Sequence, residues 1–95
     1  MGSGPEGKIV TAIMDELASL GAWRFKAHGG PYQVAGIPDI IACLRGRFVA
    51  IEVKRPGGKA TRLQALVIRR ILEAGGAAGV ATSVEEARAI IEVVD

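Results

Sequence analysis

The sequence predicts a single α+β domain: a mixed sheet flanked by helices, in the order αβββαβ with one more helix at the end. Three observations predict it. Apolar residues recur at helical spacing in two long segments and again near the C-terminus. Between them lie short segments with alternating or unbroken apolar character, which suit strands. Glycine-bearing turns separate almost every segment from the next. The chain has 95 residues and is 49% hydrophobic, enough for one small core and too short for two.

Residues 1–4 are expected to be a tag or a disordered start, and residues 5–95 to be the domain. Pro5 to Leu20 is a helix, because Ile9, Val10, Ile13, Met14, Leu17 and Leu20 form one stripe. Pro5 suits its first turn and Gly21 its C′ position. Residues 22–28 alternate, with Trp23, Phe25 and Ala27 on one face and Arg24, Lys26 and His28 on the other. Gly29-Gly30-Pro31 ends that strand, and a loop runs to Gly36.

Residues 38–44 form a second strand, on which Cys43 is expected to be core. Arg45-Gly46-Arg47 is a hairpin-length turn, so the third strand, residues 48–54, should be the antiparallel neighbour of the second. Gly57-Gly58 breaks the chain. Thr61 to Ala74 is a helix with Leu63, Leu66, Val67 and Ile71 in its stripe, stopped by Gly75-Gly76. Ala77 to Thr82 is a short buried strand. Ser83 caps a final helix from Val84 to about Val94, and Ser83 with Glu86 fits a capping box.

Several functional classes are excluded. The longest apolar runs, such as Ile40 to Leu44, are far shorter than the roughly 20 residues that span a bilayer, so no membrane partner is expected. The start lacks the pattern of a secretory signal. Met1-Gly2 lacks the Ser or Thr at position 6 that myristoylation favours, because Glu6 stands there. One cysteine, Cys43, permits no internal disulfide and no cysteine-built zinc site. An intracellular protein is expected. The core is poor in aromatics, with only Trp23, Phe25, Tyr32 and Phe48, so a homodimer that buries further surface is expected too.

The net charge is +2, but its distribution is uneven. Residues 24–70 carry Arg24, Lys26, Arg45, Arg47, Lys54, Arg55, Lys59, Arg62, Arg69 and Arg70 against only Asp39 and Glu52, a local balance of +8. Such a block is an electrostatic footprint for a polyanion, with nucleic acid the usual case. The alternative is a solvated surface balanced by the acidic ends. Two isolated acids inside it are informative, since an acid repels phosphate unless a cation stands between them.

Along the third strand, Val49, Ile51 and Val53 face one side, and Ala50, Glu52 and Lys54 the other. If the second and third strands pair through the 45–47 turn, Asp39 lies opposite residue 53 or so, with its carboxylate beside Glu52. Two such carboxylates repel each other unless one stays protonated or a cation intervenes. Hard oxygen ligands with open positions suit Mg²⁺ or Mn²⁺. Asp, Glu and Lys around such an ion are what phosphodiester hydrolysis needs. The plainer reading is a hairpin with a surface ion pair between Glu52 and Lys54.

The arrangement resembles the PD-(D/E)xK nuclease superfamily, with its restriction-endonuclease-like αβββαβ core. It is most similar to the virus-type replication–repair nuclease (VRR-NUC) branch in its minimal stand-alone form. The residues that carry the resemblance are Gly36-Ile37-Pro38-Asp39, then Ile51-Glu52-Val53-Lys54-Arg55-Pro56, then Thr61 with Gln64, and Gly75. It spans about residues 6 to 90. The resemblance implies that Asp39 and Glu52 ligate the metal, with the backbone carbonyl of Val53 as a further ligand. Lys54 would position the water or stabilise the transition state. Glu6 matches the family's glutamate at the start of the first helix, a place the helix dipole also explains. Gln64 matches the family's glutamine, though Thr61 and Gln64 also form a capping box.

The function implied is a metal-dependent DNA endonuclease acting on branched, flapped or junction DNA, in DNA repair and as a homodimer, in a host cytoplasm if phage-encoded. A domain this small has little room for base readout, so backbone and shape recognition is expected. Arg55, Lys59 and Arg62 are candidate phosphate contacts. His28 and Tyr32 are candidate DNA contacts, with a surface histidine and a loop-packing ring as the plainer readings. The alternatives are a non-catalytic nucleic-acid-binding module on the same fold and a structural protein whose carboxylates merely pair with lysine.

Overall fold

Seven elements form in the expected order. They are α1 (Pro5–Ser19), β1 (Trp23–Lys26), β2 (Ile40–Leu44), β3 (Arg47–Val53), α2 (Arg62–Glu73), β4 (Ala77–Ala81) and α3 (Val84–Ile91). The computed structural model describes residues 4–27 and 34–95. The sheet order is β1-β2-β3-β4. β1, β2 and β3 are antiparallel neighbours, and β4 runs parallel to β3 after the crossover through α2. α2 therefore starts at the end of the sheet where β3 finishes.

The alternation along β3 sorts the two faces. Val49, Ile51 and Val53 join Ile13 and Leu17 of α1 and Ala87 and Ile91 of α3 in the main core. Ala50 faces the other way and packs with Ile68 of α2 and Ala78 of β4. The first face carries two helices and the second carries one.

Helix ends follow the expected chemistry, with two corrections. Gly21 ends α1 with φ +81°, and the Ala22 N–H reaches back to the Leu17 carbonyl at 3.0 Å. At α3 only half of the expected capping box forms. The Ser83 hydroxyl accepts from Glu86 N–H, but the Glu86 carboxylate reaches Thr82 instead, accepting from its N–H at 2.6 Å and its hydroxyl at 2.7 Å. The helix also stops at Ile91, short of Val94. The tail beyond is tied down by arginines: Arg47 Nη1 donates to the Val93 carbonyl at 2.7 Å and Arg45 Nε to the Asp95 carbonyl at 2.7 Å.

Cys43 is exposed, against expectation. Its side chain lies on the α2 face, and α2 covers only the β3–β4 half of that face. Trp23, Cys43 and Phe48 are register partners across β1, β2 and β3, so they stand in a row that runs from the uncovered half to the edge of α2. Trp23 is 63% exposed, Phe25 43% and Phe48 45%. Trp23 and Phe25 meet edge to face with ring centroids 5.3 Å apart. β1 contributes no buried residue at all.

Candidate active site

Asp39 enters β2 from the buried Pro38, and its position is fixed twice. Its backbone carbonyl accepts from Ala27 N–H at 2.7 Å, which extends the β1–β2 ladder by one rung. Its side-chain Oδ2 accepts from Val53 N–H at 2.8 Å. Ile40 pairs with Ile51, so Asp39, one step further, stands opposite Glu52 rather than residue 53. Directly opposed residues of an antiparallel pair project to the same face. The two carboxyl groups therefore meet at the end of the hairpin.

Glu52 is 3% exposed, a buried carboxyl on a sheet of apolar neighbours. Lys54 Nζ lies 3.4 Å from its Oε2. Its Oε1 is buried with no hydrogen-bond partner among the described residues. Burial pushes the Glu52 carboxyl up to about 7, and the charge of Asp39 with a hydrogen bond between the two carboxyls pushes the same way. Lys54 opposes the shift and does not overcome it. A buried polar atom without a partner is costly, so among the described residues the Glu52 oxygen is the one feature of this hairpin end that packing alone leaves unsatisfied.

Lys54 is held as the chain leaves the sheet, its N–H donating to the Ala81 carbonyl at 3.0 Å. Immediately afterwards Arg55-Pro56-Gly57-Gly58 makes a tight turn closed by Gly58 N–H to the Arg55 carbonyl at 2.8 Å. Pro56 and Gly57, the latter with φ +86°, suit the central positions of a type II turn. A Cβ on Gly58 would sit 3.2 Å from the Lys54 Cβ and 3.0 Å from the Arg55 carbonyl oxygen. The turn thus packs backbone against the lysine stem.

The other site candidates fall at several distances from this centre. Glu6 lies in the first turn of α1, and its Oε2 accepts from Arg55 N–H at 3.4 Å. It reaches the edge of the site. Among the described residues no three His, Cys, Asp or Glu side chains gather into a metal-holding group. Val53 sends its side chain into the main core and offers the site only its backbone. Gln64 forms the capping box: its Oε1 accepts from Thr61 N–H at 2.8 Å and the Thr61 hydroxyl accepts from Gln64 N–H at 3.1 Å. Arg55, Lys59 and Arg62 are exposed on the stretch from the lysine to the start of α2. His28 and Tyr32 lie outside the described residues.

Two features were not legible from spacing. Gly36 has φ +85°, and a Cβ there would lie 2.7 Å from Leu63 Cγ and 3.2 Å from Val67 Cγ2. The loop before Asp39 is therefore pressed backbone-first onto α2. The basic block also divides in two. Arg24 Nε donates to the Met14 carbonyl at 3.3 Å, Arg47 to the Gly75 and Val93 carbonyls, and Arg45 to the Asp95 carbonyl. These arginines fasten elements together, and Arg45 and Arg47 do so at the sheet end opposite Glu52.

No family model and no curated protein sequence matches the chain. A solved structure described as a VRR_NUC domain is similar to it, with a TM-score of 0.78 and 23% sequence identity, over 98% of this chain and 100% of that one. The mixed four-stranded sheet with its three helices, and the hairpin end that joins Asp39 to Glu52, thus stand on the fold of a VRR_NUC domain.

Proposed function

We propose that the chain is a divalent-metal-dependent nuclease that hydrolyses phosphodiester bonds in branched, flapped or junction DNA. One observation carries the reading: a buried glutamate, Glu52, stands beside a second carboxyl, Asp39, and keeps one oxygen unpartnered, with a lysine 3.4 Å from the other. Burying two carboxyls side by side costs a fold stability, and a bound cation would offset that cost. The similarity in fold to a VRR_NUC domain points the same way.

Asp39 and Glu52 would hold Mg²⁺ or Mn²⁺, with the Val53 backbone carbonyl and Glu6 as the candidate further ligands. When bound, the ion polarises the phosphoryl oxygens and makes water acidic enough to attack near neutral pH. Lys54 has donors only, so it orients the attacking water or meets the negative charge that grows on the phosphate. Val53 N–H holds the Asp39 carboxylate in place, and the Gly58 turn holds the Lys54 stem. Gln64 steadies the start of α2 beside the loop that carries Asp39. A second copy of the chain would cover the open face around Trp23, Phe25 and Phe48.

The test is a cleavage panel of flap, fork, four-way junction and plain duplex DNA with Mg²⁺, Mn²⁺ or EDTA. The expected result is metal-dependent cutting of a branched substrate in preference to duplex, absent in EDTA and absent in Glu52→Gln. Binding of DNA with no cleavage under any condition would make the chain a binding module on a nuclease fold.

A further inference from the structure

The arginines of the chain are not equivalent. Arg24, Arg45, Arg47 and Arg88 are each bonded to another part of the chain, the last to Glu16 at 3.1 Å. Among the described residues, Arg62, Arg69 and Arg70 of α2 have no side-chain hydrogen bond or ion pair, and the same holds for Arg55 and Lys59 ahead of the helix. Apart from Lys26 on β1, the charge of the basic block left over after folding is therefore concentrated on one helix and the turn that leads to it from Lys54.

Within α2 the placement is specific. Arg62 and Arg69 are seven residues apart, two helical turns, so they stand on one line of the solvent face. Ala65 and Leu66 lie between them and floor a shallow groove. Ala65 is small and lets another molecule come close to the helix. The first turn holds Arg62 and no acid. A cation there opposes the helix dipole, which favours anions at that end. The only acid on the helix, Glu73, is its last residue. A charge arrangement that works against the helix on its own is relieved by an external polyanion.

We propose that the Arg62–Arg69 face of α2 is a phosphate track that holds one strand of a DNA duplex arm and guides it to the Asp39–Glu52 site. This rests on the nuclease reading and adds the surface and the direction in which the substrate leaves the centre. Seven residues of helix span about 10.5 Å, so two long guanidinium side chains at that separation reach separate phosphates of one strand. The contacts are to backbone, so they carry no base preference.

The experiment is fluorescence anisotropy of a labelled flap and a labelled plain duplex in EDTA, across a salt series, for wild type, Arg62→Ala, Arg69→Ala and the double variant. Each lost phosphate contact lowers the log–log salt slope by about 0.9, so the double variant is expected to lose about two units on both DNAs. Circular dichroism and the thermal midpoint should stay unchanged, since neither side chain has a partner to lose. A double variant that keeps the wild-type slope and affinity overturns the proposal, and so does a loss explained by a lowered thermal midpoint. Because the titration contains no metal, it stands apart from cleavage. A wild type that binds with this slope yet never cuts refutes the nuclease reading and leaves the track in place. A wild type that cuts while the double variant binds unaltered does the reverse.

Discussion

Asp39 and Glu52 face each other across the open end of the β2–β3 hairpin, and the backbone N–H of Val53 ties the first carboxylate to the residue after the second. The pair is close enough that Asp39 helps to raise the Glu52 carboxyl to about 7, after burial, the larger cause. Folding therefore binds a proton that the unfolded chain gives up at about 4.5.

The sign of the stability effect follows. Glu52 is protonated in both states below about pH 4, and its contribution is then fully present. Between about 4.5 and 7 the unfolded chain ionises first and stability falls. Above 7 both states are ionised and the loss is complete, on the order of 3 kcal/mol for a shift of this size. Urea denaturation of metal-free protein from pH 4.5 to 8 should show this fall in wild type relative to Glu52→Gln. A constant difference between the two across that range would mean that Glu52 titrates normally.

On the proposed nuclease reading, metal and lysine roles separate by mutation. Glu52→Gln keeps the size of the side chain and loses its charge. If the ion supplies about 4 kcal/mol of transition-state stabilisation, cleavage slows about a thousandfold. DNA binding without metal should hold or improve, because a negative charge near phosphate is gone. Lys54→Ala should also lose cleavage, yet keep Mn²⁺ binding, since an ammonium is not a ligand. Calorimetry with Mn²⁺ should weaken for the first variant and barely change for the second. Cutting by Glu52→Gln at near wild-type rate would remove the chemistry from this site.

Most of the architecture was legible in the sequence because period and punctuation agree. The helical stripe of α1, the alternation along β3 and the Arg45-Gly46-Arg47 turn each predict one local outcome, and together they set the β2–β3 register to within a residue. What pattern could not supply was coverage. Cys43 sits in an apolar run, and such a run gives no sign that α2 stops short of β2. The alternation that puts Trp23 and Phe25 on one face likewise gives no sign that the face is left open. Charge was misleading in another way. Arg24, Arg45 and Arg47 count as free positive charge in a sequence, and only the fold brings carbonyls to them. Gly36 was visible as part of a motif, but its contact with Leu63 joins distant segments.

Gly36→Ala should be destabilising without touching the site chemistry. The residue has positive φ, which costs an L side chain about 1–2 kcal/mol. Its new methyl would also run into Leu63 and Val67. Overpacking adds about 1–3 kcal/mol, so a loss of about 2–5 kcal/mol in denaturation is expected. Adding Leu63→Ala should recover part of it, because the obstructing atoms are then absent. A loss unaffected by the second change would place the strain in the backbone alone.

The uncovered face makes a prediction about association. Trp23, Phe25 and Phe48 leave roughly 300 Å² of aromatic surface open. A two-fold pair hides that patch twice, about half of the 1,200 Å² at which stable interfaces begin, so the expected dimer buries surface beyond the aromatic rings as well. Sedimentation at micromolar concentration should find a dimer, and Trp23→Ser with Phe48→Ser should return it to 9.9 kDa. A fully active wild-type monomer at that concentration would show that the face has another use.

The division of the basic residues gives the last prediction. Arg47 donates to Gly75 at 3.0 Å and to Val93 at 2.7 Å, pinning the α2–β4 turn and the C-terminal tail to the start of β3. A charge-assisted hydrogen bond contributes about 1.5–3 kcal/mol when buried and less where water competes, so Arg47→Ala should cost about 2 kcal/mol in all. For a domain of this size that lowers the thermal midpoint by roughly 10 °C. Below the new midpoint, the salt slope of DNA binding should be unchanged, because this arginine has its partners within the chain. Arg62→Ala and Arg69→Ala should behave in the opposite way, lowering the slope and leaving the midpoint alone. If Arg47→Ala lowers the slope by about one unit with no change in midpoint, it is a phosphate ligand, and formal charge rather than intramolecular partnership decides where DNA binds.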